Sequence, residues 1–165
     1  MAKKDHPKFD KSGHYRLNDK HLMAFLHHDG FTERLLGVNI FITKSFEVEV
    51  YLRCFKKGKS YGGFESELII KKVPTQVLEF LDLVSQVENI DFGFEKRDNH
   101  WFEDAMIQNY LFDHNGTTKG FHVTGGMTVS ENNFATEFGR KFFALYKFLN
   151  DWKEDLYQDF CKNAA

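Results

Sequence analysis

The stretch Gly139–Phe160, GRKFFALYKFLNDWKEDLYQDF, decides how the chain is read. Phe142, Leu145, Leu149, Trp152, Leu156 and Phe160 recur at three- and four-residue steps, the spacing that lines one face of an α-helix. Arg140, Lys147, Asp151, Glu154, Asp155 and Asp159 fall largely on the other side. The spacing predicts an amphipathic helix of about six turns, with Phe143 and Tyr146 widening the apolar stripe. Such a stripe needs a surface to cover, and the sequence before it supplies strands.

The clearest strand is Phe46–Phe55, where Phe46, Val48, Val50, Leu52 and Cys54 alternate with Glu47, Glu49, Tyr51, Arg53 and Phe55. The glycine-bearing turn Lys56–Gly63 joins it to a second alternating run, Phe64–Lys71, and Leu35–Thr43 precedes both as a β-branched, aromatic strand. Pro74 suits the first position of a helix that runs to Val87, with Val77, Leu78, Leu81 and Val84, joined by Phe80, as its apolar stripe. Ile90, Phe92 and Phe94 predict a short strand. Asp104–Phe112 and Lys119–Val129 predict a hairpin around Asn115-Gly116, two residues that tolerate positive φ. Phe134–Phe138, FATEF, reads as a last strand running into the terminal helix. Near the start, Asn18–His28 carries Leu22, Phe25 and Leu26 at helical spacing after a capping Asn18 or Asp19, with Gly30 as a stop, and predicts a short helix.

Strands joined by tight turns predict an α+β fold, an antiparallel sheet of about six strands with two long helices packed on it. Lysine-rich residues 1–13 are expected to form a mobile arm, and residues 14–165 a single domain. A 165-residue chain buries close to 70% of its unfolded surface. Its 19 phenylalanines imply a core packed by rings. A net charge of −2 lacks the concentrated Lys/Arg excess that direct nucleic-acid binding needs. Neither Cys54 nor Cys161 sits in a CxxC or Cys/His ligand spacing, so both read as reduced thiols of a cytoplasmic protein. The amino-terminal charges are followed by no apolar run, and no stretch is long and apolar enough to span a membrane.

Chemistry-bearing motifs are sparse. His27-His28-Asp29 is the densest ligand group, yet there is no HxxxH or HExxH, and no metal or cofactor is expected. His122-Val123-Thr124 resembles the H-x-T element of two-histidine phosphodiesterases, but the second copy that chemistry needs is missing. Gly62-Gly63 and Gly125-Gly126 do not open helices in phosphate-loop form, and no GxSxG occurs. From Glu88 to Asp113, by contrast, the acids Glu88, Asp91, Glu95, Asp98, Glu103, Asp104 and Asp113 face only Lys96 and Arg97. Asp98, Glu103 and Asp104 would steer a basic protein partner, with Trp101 and Tyr110 as aromatic anchors. Two other readings stay open: a pocket for an apolar or aromatic small molecule in a curved, Phe-rich sheet, and a hydrolase or phosphodiesterase using His122.

The order of elements resembles a known group. The hairpin around Tyr61-Gly62-Gly63-Phe64, the helix from Val73-Pro74-Thr75 to Val87, the Asn-Gly-turned strands and FATEF leading into the last helix are similar to small bacterial immunity proteins. These are the kind paired with contact-dependent inhibition and WapA-type toxins, and the resemblance spans roughly residues 38–153. It implies a cytosolic, non-enzymatic antidote that occludes a toxin, often a basic nuclease, with no catalytic residues to carry over.

Overall fold

The computed structural model describes residues 7–30, 36–54, 64–70, 72–96, 106–125 and 127–163, and of residues 64–69 and 161–163 the backbone alone. The alternating runs become strands of one antiparallel sheet: β3 (His21–His28), β4 (Gly37–Thr43), β5 (Val48–Cys54), β6 (Phe64–Ile70), β7 (Ile107–His114) and β8 (Thr117–Thr124), after a small hairpin of β1 (Lys8–Phe9) and β2 (Tyr15–Arg16). The order in the large sheet is β6-β5-β4-β3-β7-β8. Helix α1 (Thr75–Gln86) separates the β3–β6 meander from the β7–β8 hairpin, and α2 (Glu137–Asn163) closes the chain. The expected α+β class, antiparallel sheet and two long helices are all present.

Both helices cover one face of the sheet. Phe142, Leu145, Leu149 and Leu156 of α2 and Val77, Phe80 and Val84 of α1 are buried against Met23, Phe25, Val38, Ile40, Val50, Tyr110, Phe112, Phe121 and Val123. Phe142 is the centre of this packing. Its ring centroid lies 4.8 Å from Phe121, 4.9 Å from Phe92 and 5.2 Å from Tyr110, the last edge-to-face. Trp152 and Phe160 are only partly buried. Cys54, at the end of β5, packs into this core as its parity predicts.

Three expectations are corrected. The helix expected over Asn18–His28 is instead β3, between β4 and β7 at the middle of the sheet. A central strand is buried on both faces, so its apolar residues run nearly without interruption and mimic helical spacing. Met23 and Phe25 enter the helix-covered core while Ala24 packs with Leu17, Phe41 and Leu111 on the opposite face. Asn18 caps a turn, its Oδ1 accepting from Lys20 N–H at 3.1 Å. The strand expected at Phe134–Phe138 reduces to one bridge, Phe94 with Phe134, because Thr136 caps α2. Its Oγ1 accepts from Gly139 N–H at 2.9 Å, so the helix begins at Glu137. The strand expected at Ile90–Phe94 is an irregular segment broken at Gly93, whose φ is +56°.

The β7–β8 turn forms as expected, with Asn115 at φ 54° and Gly116 at φ 80° closing His114 onto Thr117. β8 ends at Thr124, short of the expected Val129. Within the stretch expected to be an arm, Lys8–Phe9 pairs with Tyr15–Arg16, and the Asp10 carboxylate accepts from Ser12 N–H and His14 N–H to tie the turn. No helix of the described residues is long and apolar enough to cross a membrane.

Candidate functional site

Of the expected partner-binding residues, Asp98, Trp101, Glu103 and Asp104 lie outside the described residues. Tyr110 is a correction: it sits in β7 at 0% exposure, facing the helices, and offers no area to a partner. The parity of β7 decides this, since Tyr110 shares a face with Gln108 and Phe112.

The described part of the acidic stretch is firmly built. Phe92 and Phe94 point into the ring cluster, Phe92 at 4.9 Å from Phe142 and Phe94 at 5.1 Å from Phe121. The backbone around them is laced to the segment before α2. Ala135 N–H donates to the Gly93 carbonyl at 2.8 Å, Glu95 N–H to the Asn133 carbonyl at 2.8 Å, and Thr136 Oγ–H to the Asp91 carbonyl at 2.7 Å. Gly139 packs so closely that a Cβ there would overlap the Phe92 carbonyl oxygen. With the rings turned inward, Glu88, Asp91 and Glu95 are left exposed, and none has an ion-pair partner among the described residues. Exposed Glu131 lies on the adjoining single 3-10 turn, Glu131–Asn133. The period-two alternation seen in the sequence thus survives without a strand, displaying carboxylates from a fixed backbone.

A second polar feature is internal. His27 keeps the inward parity of Met23 and Phe25, while His28 points outward and is exposed. The Nε2 of His27 lies 2.7 Å from Asp29 Oδ1, and its Nδ1 lies 3.0 Å from Gln108 Nε2. Gln108 Nε2 also donates to Asn150 Oδ1 at 2.7 Å, and Gln108 Oε1 accepts from Tyr110 O–H at 2.7 Å. Asn150 Nδ2 returns a bond to Tyr110 Oη at 2.9 Å, and Lys153 Nζ donates to Asn150 Oδ1 at 3.3 Å. One proton placement satisfies this chain: His27 protonated on Nε2, facing the carboxylate, with Nδ1 accepting from the glutamine. Both imidazole nitrogens are then engaged by protein groups, which leaves the Asp-His pair no nitrogen for a substrate. Burial pushes the Tyr110 phenol well above its ordinary pKa, and the neighbouring Tyr146 adds to that, so Tyr110 stays neutral at physiological pH. The sequence signal for His27 was its parity on β3, hidden by the helical reading.

On the far face of the sheet, His21 stacks on Phe41 and bonds Glu49 Oε1 at 2.8 Å. His122 is exposed on edge strand β8, where partial desolvation lowers its pKa, and its Nδ1 lies 2.6 Å from Asn109 Oδ1. An amide partner is neither acid nor base at neutral pH. No group of three metal-ligating side chains converges among the described residues. The space between sheet and helices holds tilted and edge-to-face rings of Phe80, Phe112, Phe121, Phe134, Phe138 and Phe142. No protein-family model, no curated protein and no solved structure matches the chain.

Proposed function

We infer that the protein is a stoichiometric, non-enzymatic inhibitor of antidote type, which neutralises a basic protein toxin, such as a nuclease, by binding over it. The observation that carries this reading is the docked Glu88–Glu95 segment. Exposed carboxylates with no ion-pair partner among the described residues are held there on a backbone fixed by Phe92, Phe94 and the ladder to residues 133–136. A rigid acidic display costs little ordering on association and speeds encounter with a basic surface. Asp98, Trp101, Glu103 and Asp104 follow directly in sequence and extend the same chemistry. The buried histidine, glutamine and tyrosine serve the interior and are unavailable for turnover.

The test begins with tagged protein used to capture its partner from the native host. The purified pair is then titrated calorimetrically, and the partner's own activity is measured. The reading predicts a basic partner, 1:1 stoichiometry, inhibition at one equivalent, and weakening across the range of about 0.05 to 0.5 M salt, where screening becomes complete. Trp101→Ala and the reversals Asp98→Lys, Glu103→Lys and Asp104→Lys weaken binding. A partner that binds without loss of its activity, or with no response to salt and charge reversal, rejects it.

A further inference from the structure

A cavity of about 410 Å³ opens between α1, the β4–β5 turn and the β7–β8 turn, with Leu22, Phe46, Leu78, Leu81 and Val84 among its apolar lining. Asp82 and Asp113 also line it, and no lysine or arginine stands among the described lining residues. The Gln86 side chain donates to Asp82 Oδ2 at 2.8 Å, which fixes the carboxylate and leaves Oδ1 for another donor.

The β4–β5 turn explains why this groove stands out. Thr43 N–H donates to the Glu47 carbonyl and Phe46 N–H to the Thr43 carbonyl, both at 2.9 Å, and Glu47 N–H donates to Thr43 Oγ1 at 3.0 Å. Such a loop places its last residue in the left-handed region, a position glycine or asparagine fills at least cost. Here that residue is Phe46, with φ +59° and its side chain 51% exposed. The backbone disfavours phenylalanine at that position, and water disfavours the exposed half of the residue. Leu78, 38% exposed on α1, and Leu22, left without a cross-strand partner by the bulge between His21 and Met23, complete the apolar wall.

We propose that this groove docks a segment of a partner protein carrying an aromatic or branched apolar side chain beside an arginine or lysine. The apolar group covers Phe46 and Leu78, and the cation answers Asp82 and Asp113. Asp113 ends the acidic stretch that begins at Glu88, so the inference deepens the protein-binding reading and rests on it for the occupant being a protein.

The experiment uses the full ¹⁵N-labelled chain and two capped peptides, Gly-Arg-Phe-Arg-Gly and Gly-Glu-Phe-Glu-Gly, followed by amide chemical shifts. The arginine peptide is expected to move resonances of Leu22, Phe46, Leu78–Ser85 and Asp113–Asn115, and the glutamate peptide to leave them in place. Phe46→Gly is expected to weaken the arginine peptide at least about tenfold while keeping or raising the thermal midpoint. Asp82→Asn with Asp113→Asn weakens it by about tenfold at low salt. Equal binding of both peptides overturns the proposal. So does a lowered midpoint in both Phe46→Gly and Phe46→Asn, since that makes the ring structural. Shifts that appear on raising protein concentration alone would mean a second copy occupies the groove, and also overturn it. Shifts confined to Glu88–Glu95 reject the groove and leave the acidic-surface reading standing. A captured partner that Glu88→Lys, Asp91→Lys and Glu95→Lys fail to weaken rejects that reading instead.

Discussion

Truncation of Phe142 to alanine tests the packing directly. The side chain is fully buried, and its ring meets Phe92, Tyr110, Phe112, Phe121 and Phe134, which come from β7, β8 and the two irregular segments flanking residue 95 and α2. Removing a buried phenylalanine costs roughly 3–5 kcal/mol in transfer free energy and residual cavity. Well-oriented ring pairs add about 0.5–1.5 kcal/mol each beyond area, so the upper half of that range is expected here. Against a total stability of roughly 5–15 kcal/mol this is a large fraction. At about 2–4 °C per kcal/mol for a chain of this size, the thermal midpoint drops by roughly 8–20 °C. Phe142→Leu keeps most of the volume and separates the ring contribution, at about 1–2 kcal/mol. Urea unfolding followed by circular dichroism measures both. A Phe142→Ala variant within about 1 kcal/mol of the parent would refute the claim that this ring joins sheet, helix and acidic segment.

The remaining expectations concern the polar chain and the close contact at Gly139. Tyr110 has a folded pKa raised by burial, so its neutral form is favoured in the fold; stability is fully present below the unfolded value near 10 and falls as pH rises above it. Urea unfolding between pH 9 and 11.5 should show a slope approaching about 1.4 kcal/mol per pH unit for this group, and Tyr110→Phe should flatten it. At neutral pH the same variant loses about 1–3 kcal/mol, because Gln108 Oε1 and Asn150 Nδ2 each lose a partner. Gln108→Leu strips the donor from both His27 Nδ1 and Asn150 Oδ1 and should cost at least about 2 kcal/mol by the same assay. Gly139→Ala drives a methyl group into the Phe92 carbonyl; a loss of about 1–3 kcal/mol is expected, with faster hydrogen exchange at the amides of Ala135 and Glu95.

Much of the fold was legible because its periodicities were unambiguous. Val48–Cys54 alternates strictly and is β5, Asn115-Gly116 demands positive φ and forms the hairpin turn, and the stripe through Phe142, Leu145 and Leu149 is the buried face of α2. β3 was misread because burial on both faces removes alternation, leaving Leu22, Phe25 and Leu26 at a spacing that looks helical. FATEF was misread because the Thr136 cap matters more than the β propensity of Phe134 and Phe138. Around the candidate site, the acidic excess was visible by counting, and the Phe92/Phe94 alternation gave its orientation. Tyr110 was assigned outward because sequence alone did not fix the register of β7, and a one-residue change of parity exchanges core for surface. The groove was illegible for a different reason: it joins Leu22, Phe46, Leu78 and Asp113, which only the tertiary structure brings together.

The central claim is that the interior is committed to its own rings and hydrogen bonds, and that function lies on the acid-bearing exterior. Its most direct measurement is the association rate, by stopped flow, of the captured partner with the parent protein and with the Glu88→Lys, Asp91→Lys, Glu95→Lys triple variant at low and high salt. The variant is expected to associate at least about tenfold more slowly at low salt, with the difference closing as salt rises and the fold unchanged by circular dichroism. Equal rates at low salt would contradict it.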